Sequence, residues 1–213
     1  MAIGRSSCGE GARLALARSA HRLLDGDGRA VRGPALAIDV PAQARAGDLV
    51  FREGTAGVSV AVLSVDGGPY SHVGMLLGEP GQWQVIHATP AELPGRADGV
   101  VIDTLDFYLA PERAVQHAIY HVQADDTARA AAVRAAHARL GEPFRLAEPG
   151  GAYCTELVWS AWQSAGVDLD VTFTPLALPL IPGRYLLPRD LAASARLQVL
   201  PAPQAQAHLA MTP

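Results

Sequence analysis

The strongest constraint on the fold of this chain is the order of its segments. Residues 46 to 123 hold short apolar stretches bounded by Gly, Pro and Asp turns, which predict a largely antiparallel sheet. Residues 59 to 65 form one further apolar run in this region. Helices are predicted over residues 125 to 140 and 153 to 166, from capping residues and a shared apolar face. Strands followed by helices predict an α+β domain, with a mostly antiparallel and barrel-like sheet packed against the second helix.

The segments that flank this region set the predicted domain bounds. Residues 1 to 44 are predicted as a helical lead-in and linker, residues 45 to 200 as the domain, and residues 201 to 213 as a C-terminal tail. Prolines at 175, 179, 182 and 188 exclude a regular helix or a central strand from the apolar run before residue 190. Residues 194 to 200 predict an edge strand.

Composition and charge exclude several classes of protein. With 49% hydrophobic and 18% charged residues, the chain is expected to fold, and its formal net charge of -4 gives no footprint for nucleic acid. No apolar run reaches the roughly 18 residues of a membrane helix. Two cysteines far apart, Cys8 and Cys154, do not make a disulfide scaffold. The N-terminal segment lacks the apolar core of a secretory signal, so a cytoplasmic location is the default expectation.

Cys154 follows a Gly-rich loop and begins the second predicted helix. Backbone N–H groups and the helix dipole favour an anion there, so the pKa of such a thiol is expected to fall below its usual value of about 8.5. A thiolate at a helix start is the required form of a cysteine nucleophile. A buried, inert cysteine is the alternative at this position.

Two of the seven histidines are candidate partners for that thiol. His72 begins one predicted strand and His87 ends the next. If the hairpin closes around the Gly-Glu-Pro-Gly turn, the two imidazoles lie opposite one another, with Cβ atoms about 5 Å apart. One can then be the base and the other its orienting partner. His117 and His121 share a face of another strand and are interpreted as surface residues, because no further ligand completes a metal site.

A resemblance to a known family rests on four segments and their order. AGDLVFREG, PYSHVGMLL, LGEPF and YCTELVWSAW resemble the circularly permuted, papain-like branch of the NlpC-type cell-wall hydrolase superfamily, the YiiX-like proteins, over about residues 45 to 200. The resemblance implies a permuted papain-like fold, with Cys154 as the nucleophile and His72 as the general base. YiiX-like relatives commonly carry a Glu on the next strand; His87 stands at that place here, as in lecithin:retinol acyltransferase-like relatives.

These residues predict a cysteine hydrolase. His72 takes the proton of Cys154, His87 holds the ring of His72, and the thiolate attacks an amide carbonyl to give a thioester acyl-enzyme. The expected substrate is a peptide, a cell-wall peptide or another amide, and no metal or organic cofactor is expected. Tyr70, Ser71 and Tyr153 flank the catalytic candidates and are predicted to bind substrate.

Three alternatives remain open from the sequence. The same Cys/His site suits acyl transfer or thioesterase-like cleavage of a lipid, for which the run from Phe173 to Pro188 would line an apolar groove. The chain can instead be a non-catalytic ligand-binding relative. A third interpretation is a zinc protein that uses Cys154, His72 and His87.

Overall fold

A computed structural model describes residues 38, 40–91, 95–96, 98–146, 151–177 and 182–201. The predicted lead-in helix, most of the predicted linker and most of the C-terminal tail lie outside these residues, so the predicted domain bounds stay predictions. Among the described residues, no helix is long and apolar enough to cross a membrane.

The core of the fold is a six-stranded sheet in which every neighbouring pair of strands is antiparallel. The strands, in the order β4-β3-β2-β1-β5-β8, are β4 Gly99–Thr104, β3 Gln84–Thr89, β2 His72–Leu77, β1 Leu49–Gly54, β5 Ala114–Val122 and β8 Leu197–Val199. The α+β class and the antiparallel sheet are therefore confirmed. The sheet has β4 and β8 at its two edges, which gives an open sheet where a barrel-like one was predicted.

Both faces of the sheet are covered, because alternate residues of its strands are apolar on either side. One face packs against α3 (Asp126–Ala138) and α4 (Cys154–Ser164), through side chains such as Phe51, Met75 and Trp162. The other face packs against the short helix α2 (Leu105–Tyr108), whose Tyr108 is fully buried. Polar residues on this second face are consequently shielded from solvent.

The two helices predicted after the strands, α3 and α4, begin within one residue and end within two residues of their predicted bounds. Asp125 caps α3, its side chain accepting a hydrogen bond from the N–H of Ala128. In α4 the residues Leu157, Val158, Ala161 and Trp162 form the buried face. α4 therefore presents its first residue, Cys154, at a position fixed by its packing against the sheet.

Residues 59 to 65, the additional apolar run of the predicted sheet region, belong to a helix, α1 (Gly57–Asp66). A run of seven residues fits either a strand or a helix by periodicity. Here Val58, Ala61, Val62 and Val65 lie three and four apart and face one cavity, which only a helix allows.

In its described residues, the Pro-rich segment forms no long element, as predicted. It contains a two-stranded sheet of β6 (Thr174–Leu176) and β7 (Gly183–Tyr185), followed by α5 (Pro188–Ala192), with Pro188 in the first helical turn. The predicted edge strand over residues 194 to 200 is present as β8.

The register of the β2–β3 hairpin differs from the predicted one by two residues. Met75 pairs with Ile86 and Leu77 with Gln84, so His87 lies opposite Gly74 rather than His72. The connection extends from Gly78 to Trp83, longer than the four-residue turn that was assumed. Because a shift of two keeps side chains on the same face, His72 and His87 become diagonal neighbours and still meet.

Gly74 provides the space that His87 occupies. A Cβ at this position would meet the Val85 side chain and lie 3.0 Å from both the Cβ of His87 and the carbonyl oxygen of Ile86. We expect Gly74→Ala to lower the free energy of unfolding by about 1–3 kcal/mol, as overpacking does, measured by urea denaturation. Gly57→Ala is the matched control, because nothing lies within 4 Å of its added Cβ; it should leave the stability unchanged or raise it by up to about 1 kcal/mol. Equal effects of the two substitutions would contradict this assignment.

Candidate active site

A chain of hydrogen bonds links three neighbouring strands on the face covered by α2. Nε2 of His72 lies 2.8 Å from Nδ1 of His87, and Nε2 of His87 lies 3.1 Å from Oδ2 of Asp103. The guanidinium of Arg96 donates to Oδ1 of Asp103 at 2.7 Å. The sequence analysis predicted the contact between the two histidines and missed Asp103 and Arg96.

Burial makes this chain rigid and dry. His87 is fully buried, and only 7% of His72 and 9% of Asp103 are exposed. The ring of Tyr108 packs against both imidazoles, with centroid distances of 5.8 Å to His72 and 4.9 Å to His87. Burial by itself raises the pKa of Asp103, but hydrogen bonds from His87 and Arg96 outweigh it and hold that pKa below its ordinary value. Asp103 is therefore ionised at neutral pH.

The charge of Asp103 fixes the protons of both histidines. An ionised carboxylate only accepts hydrogen bonds, so Nε2 of His87 donates and Nδ1 of His87 is left as an acceptor. Nε2 of His72 then donates to that acceptor, which leaves the lone pair of His72 on Nδ1. Nδ1 is the ring nitrogen nearer the backbone, and it is the atom of this chain that can accept a further proton.

The thiol of Cys154 lies beside the strand that carries His72. The ladder between β2 and β3 runs from Met75 to Leu77, and the backbone N–H of Val73, outside that ladder, donates to the thiol. The N–H groups of Cys154 and Thr155 at the start of α4 also point at the sulfur. No side chain caps this helix start, so these N–H groups serve the thiol.

The predicted lowering of the thiol pKa is wrong. Burial raises the pKa of Cys154 to about 11, because desolvation outweighs the three N–H groups and the charge of Arg52. The pKa of His72 lies well below its ordinary value, through burial first and then through the charges of Arg52, His87 and Arg113. At neutral pH the thiol and the imidazole are therefore both uncharged.

An apolar pocket of about 210 Å³ opens next to Cys154. One wall is formed by α1, through Val58, Ala61, Val62 and Val65. The loop before α4 contributes Phe144, Leu146 and Tyr153. The Pro-rich segment contributes Leu176, Tyr185, Leu186, Leu187 and Pro188. Two hydrogen bonds fix the last wall, from Oγ1 of Thr155 to the carbonyl of Leu186 and from the N–H of Leu186 to the hydroxyl oxygen of Tyr153. The part of the Pro-rich run that is described thus lines a groove beside the nucleophile candidate.

The three residues predicted to bind substrate lie in different surroundings. Tyr153 lines the apolar pocket, and burial raises its pKa to about 12, so its hydroxyl keeps its proton. Ser71 is buried and accepts a hydrogen bond from the N–H of Gly54, which ties β2 to β1. Tyr70 packs with Phe51 and Tyr120 in an aromatic group and is not part of the pocket lining.

The remaining candidates are accounted for by their surroundings or lie outside the described residues. His117 is exposed on β5, whereas His121 pairs with Asp48 at 3.1 Å beside Arg129. Cys8 is outside the described residues.

The geometry does not provide the zinc site considered above. The facing nitrogens of His72 and His87 bond to each other at 2.8 Å, so their lone pairs do not converge on a third point. In the part of the chain that the structure describes, no group of three or more His, Cys, Asp or Glu side chains is placed to hold a metal ion.

The sequence of this chain matches the model of a known family. The model described as the permuted papain-like amidase enzyme, YaeF/YiiX, C92 family, matches residues 43–177, well over half of the chain. The chain belongs to this family. The predicted permuted papain-like fold is confirmed, and the protein is an enzyme of the cysteine peptidase and amidase class. No curated protein sequence matches the chain significantly.

A solved structure shows the same fold. It is titled the crystal structure of metalloprotein yiiX from Escherichia coli O157:H7, and it has a TM-score of 0.62 and 18% sequence identity to this family member. The match covers 75% of this chain and 98% of that one.

The proton arrangement of the histidine chain can be tested without a substrate. In Asp103→Asn, Arg96 donates to the amide oxygen, so the NH₂ group of the introduced amide faces His87 and donates to it. Both histidines must then change tautomer, and Nδ1 of His72 becomes protonated. We expect the ¹⁵N chemical shifts to show that, in both imidazoles, the nitrogen that carried the proton has lost it and the other nitrogen has gained one. Asp106→Asn, an exposed carboxylate of α2, is the control and should change neither ring. Unaltered tautomers in Asp103→Asn would refute the assignment.

The raised thiol pKa predicts a characteristic pH dependence of alkylation. In a Cys8→Ser background, the rate of reaction of Cys154 with iodoacetamide should rise about tenfold per pH unit from pH 7 to 9.5, because only the thiolate reacts. Glutathione is the reference, and its rate should level off within that range. A rate for Cys154 that is constant between pH 6 and 8 would indicate a preformed thiolate and contradict the uncharged pair.

Proposed function

We propose that this amidase cleaves its substrate through a thioester on Cys154, with an apolar acyl group held in the pocket beside the sulfur. The observation that carries this proposal is that one residue, Cys154, both borders the apolar pocket and receives the hydrogen bond from Val73, the neighbour of His72.

The proposed reaction begins with an uncharged pair. Nδ1 of His72 takes the proton of Cys154 as the sulfur attacks the amide carbonyl, and the backbone N–H of Cys154 stabilises the oxyanion. His72 then gives that proton to the nitrogen of the leaving amine, the C–N bond breaks, and a thioester remains. Water attacks the thioester as His72 takes one of its protons. His72 then returns that proton to the departing sulfur, which releases a carboxylic acid and the free thiol.

Asp103 supports this sequence through His87. When His72 accepts a proton it becomes an imidazolium, whose Nε2–H donates to His87. A positive charge in this buried place is costly. The ionised Asp103, two hydrogen bonds away, offsets part of that cost. The proposed mechanism uses only these side chains.

The apolar lining supports a long aliphatic or otherwise apolar acyl group over a charged peptide. Burial of each methylene is worth about 0.8 kcal/mol, so catalytic efficiency should rise with chain length until the pocket is full. Acyl transfer to an amine or alcohol acceptor is a second candidate function, because the same dry pocket would protect a thioester from water.

The proposal is tested with coumarin amides of acetic, octanoic and dodecanoic acid and of an Ala-Ala peptide. Wild type should cleave the octanoyl amide at least tenfold more efficiently than the acetyl amide, and acid quenching should trap the acyl group on Cys154, detected by mass spectrometry. Cys154→Ser should lose both signals. Acyl-enzyme that forms in Cys154→Ser would rule out this nucleophile, and release to an added amine rather than to water would identify acyl transfer.

Substitutions at two valines of α1 test whether the acyl group binds in the pocket. Val62→Phe fills the pocket and should lower activity on the octanoyl amide about tenfold or more, with little change on the acetyl amide. Val60→Phe is the matched control, because Val60 is 65% exposed and does not line the pocket. Equal losses in the two variants would show that the acyl group binds elsewhere.

A further inference from the structure

The helix that forms one wall of the apolar pocket, α1, buries little of its own apolar surface. Of its ten residues, all of which the structure describes, only Ser59 and Asp66 are buried. Its apolar side chains are half-buried or exposed; Val58 and Val65, which line the pocket, are 38% and 36% exposed. Because hydrophobic burial contributes little to holding α1, the contacts of the two buried polar residues matter most for its position.

The contacts of Asp66 join the end of α1 to the start of α5. Oδ1 of Asp66 accepts a hydrogen bond from the backbone N–H of Arg189 at 2.9 Å. Oδ2 accepts one from the N–H of Gly68, also at 2.9 Å. The guanidinium of Arg189 donates to the carbonyl oxygen of Asp66. We call Asp66, Gly68 and Arg189 the carboxylate latch.

The carboxylate latch lies at the margin of the apolar pocket. Val65 precedes Asp66 in α1, and Pro188 precedes Arg189 in α5. Both Val65 and Pro188 line the pocket. The latch therefore sets the distance between two walls of the pocket at the place where α1 meets α5.

The wall on the α5 side is fixed by further hydrogen bonds. Oδ2 of Asp190 accepts a hydrogen bond from the hydroxyl of Thr174 at 2.7 Å, which joins α5 to β6. Leu186, two residues before α5, is bonded to Tyr153 and Thr155 at the start of the helix that carries the nucleophile. Release of the latch would therefore move α1 rather than α5.

The volume of the pocket limits the acyl group that it holds in this state. An engineered cavity of about 150 Å³ binds benzene, which has six carbons, so a pocket of about 210 Å³ holds roughly eight carbons. A longer acyl chain needs more room than the walls leave when the latch is formed.

We propose, on the basis of the proposed function, that the carboxylate latch determines the size of the acyl group that the enzyme accepts. With the latch formed, the substrate class is an amide of a medium-chain acyl group, of roughly eight carbons. When the latch is broken, α1 moves outward and the pocket admits longer chains. Asp66 is thus a positioning residue, which acts on the substrate through the valines of α1.

The test is the ratio of kcat/KM for the dodecanoyl coumarin amide to that for the octanoyl amide. This ratio should be below one in wild type. Asp66→Ala removes both acceptor oxygens and should raise the ratio about fivefold or more, since full burial of the four added methylenes is worth roughly two-hundredfold. Asp66→Asn keeps one acceptor oxygen and loses one of the two bonds, so it should give a smaller rise.

Gly68→Ala breaks the latch without removing the carboxylate. Its added Cβ would meet Oδ2 of Asp66 and lie 3.0 Å from the Cβ of Arg189. The ratio should rise about fivefold or more here too, for the same reason. This variant tests the proposal independently if Asp66→Ala does not fold.

Asp125→Ala is the matched control, because Asp125 also accepts a backbone N–H at the end of a helix, that of Ala128. The helix is α3, whose residues are all described and do not line the pocket. This variant should lower the urea midpoint and leave the ratio unchanged. A rise below about fivefold in both latch variants, or an equal rise in Asp125→Ala, would overturn the role of the latch. Since the octanoyl amide would still be cleaved, the proposed hydrolysis would stand.

A binding measurement separates the two proposals in the other direction. In Cys154→Ala, octanoic and dodecanoic acid compete with the fluorescent probe anilinonaphthalene sulfonate. Adding Asp66→Ala should strengthen the binding of dodecanoic acid relative to octanoic acid by about fivefold or more. If wild type cleaves neither amide but this shift is present, the latch stands and the amide substrate is wrong. If the relative affinity does not change, the latch is refuted.

Discussion

The ionised carboxylate of Asp103 is the interaction on which the proposed chemistry depends. It is one of three polar groups in a row on a buried sheet face, and its charge is maintained by donors on both oxygens, from His87 and Arg96. Because a carboxylate can only accept, one negative charge determines which nitrogen of each imidazole carries a proton. A neutral histidine beside the base would by itself add no negative charge; Asp103 supplies that charge through His87.

The second determinant is the desolvation of the sulfur of the half-buried Cys154. Three N–H groups point at it, yet desolvation dominates and keeps the thiol protonated near neutral pH. An uncharged cysteine and an uncharged histidine form a resting pair with little reactivity toward small oxidants and alkylating agents, since these attack the thiolate. In the proposed mechanism, reactivity then depends on a bound substrate whose carbonyl receives the electrons as the proton leaves.

The sequence predicted the elements that carry strong local signals. Asp125 before an Ala-rich run marked α3, and the apolar face of residues 157 to 162 marked α4 with Cys154 at its start. His72 and His87 were predicted to meet because His72 begins one strand and His87 lies near the end of the next, although the register was displaced by two residues. That error was harmless, since an even shift keeps both rings on one face.

Other features depended on tertiary contacts that a single sequence does not display. Asp103 follows Ile102 in a strand at an edge of the sheet, where an alternating carboxylate resembles a solvent-facing residue. Only the pairing of Val85 with Asp103, and the cover provided by α2, show that it faces His87. The pKa of Cys154 was misjudged for a related reason: a helix start is visible in the sequence, whereas the protein packed around the sulfur is not.

The permuted order of the chain has a consequence for its synthesis. Cys154 lies 51 positions after Asp103, and the five strands β1 to β5 with all three members of the histidine chain precede it. During translation the proposed proton-accepting half of the site therefore leaves the ribosome before the sulfur does. A nascent or prematurely ended polypeptide that stops short of α4 holds the proposed base without the proposed nucleophile, so the proposed hydrolysis requires that α4 has been synthesised.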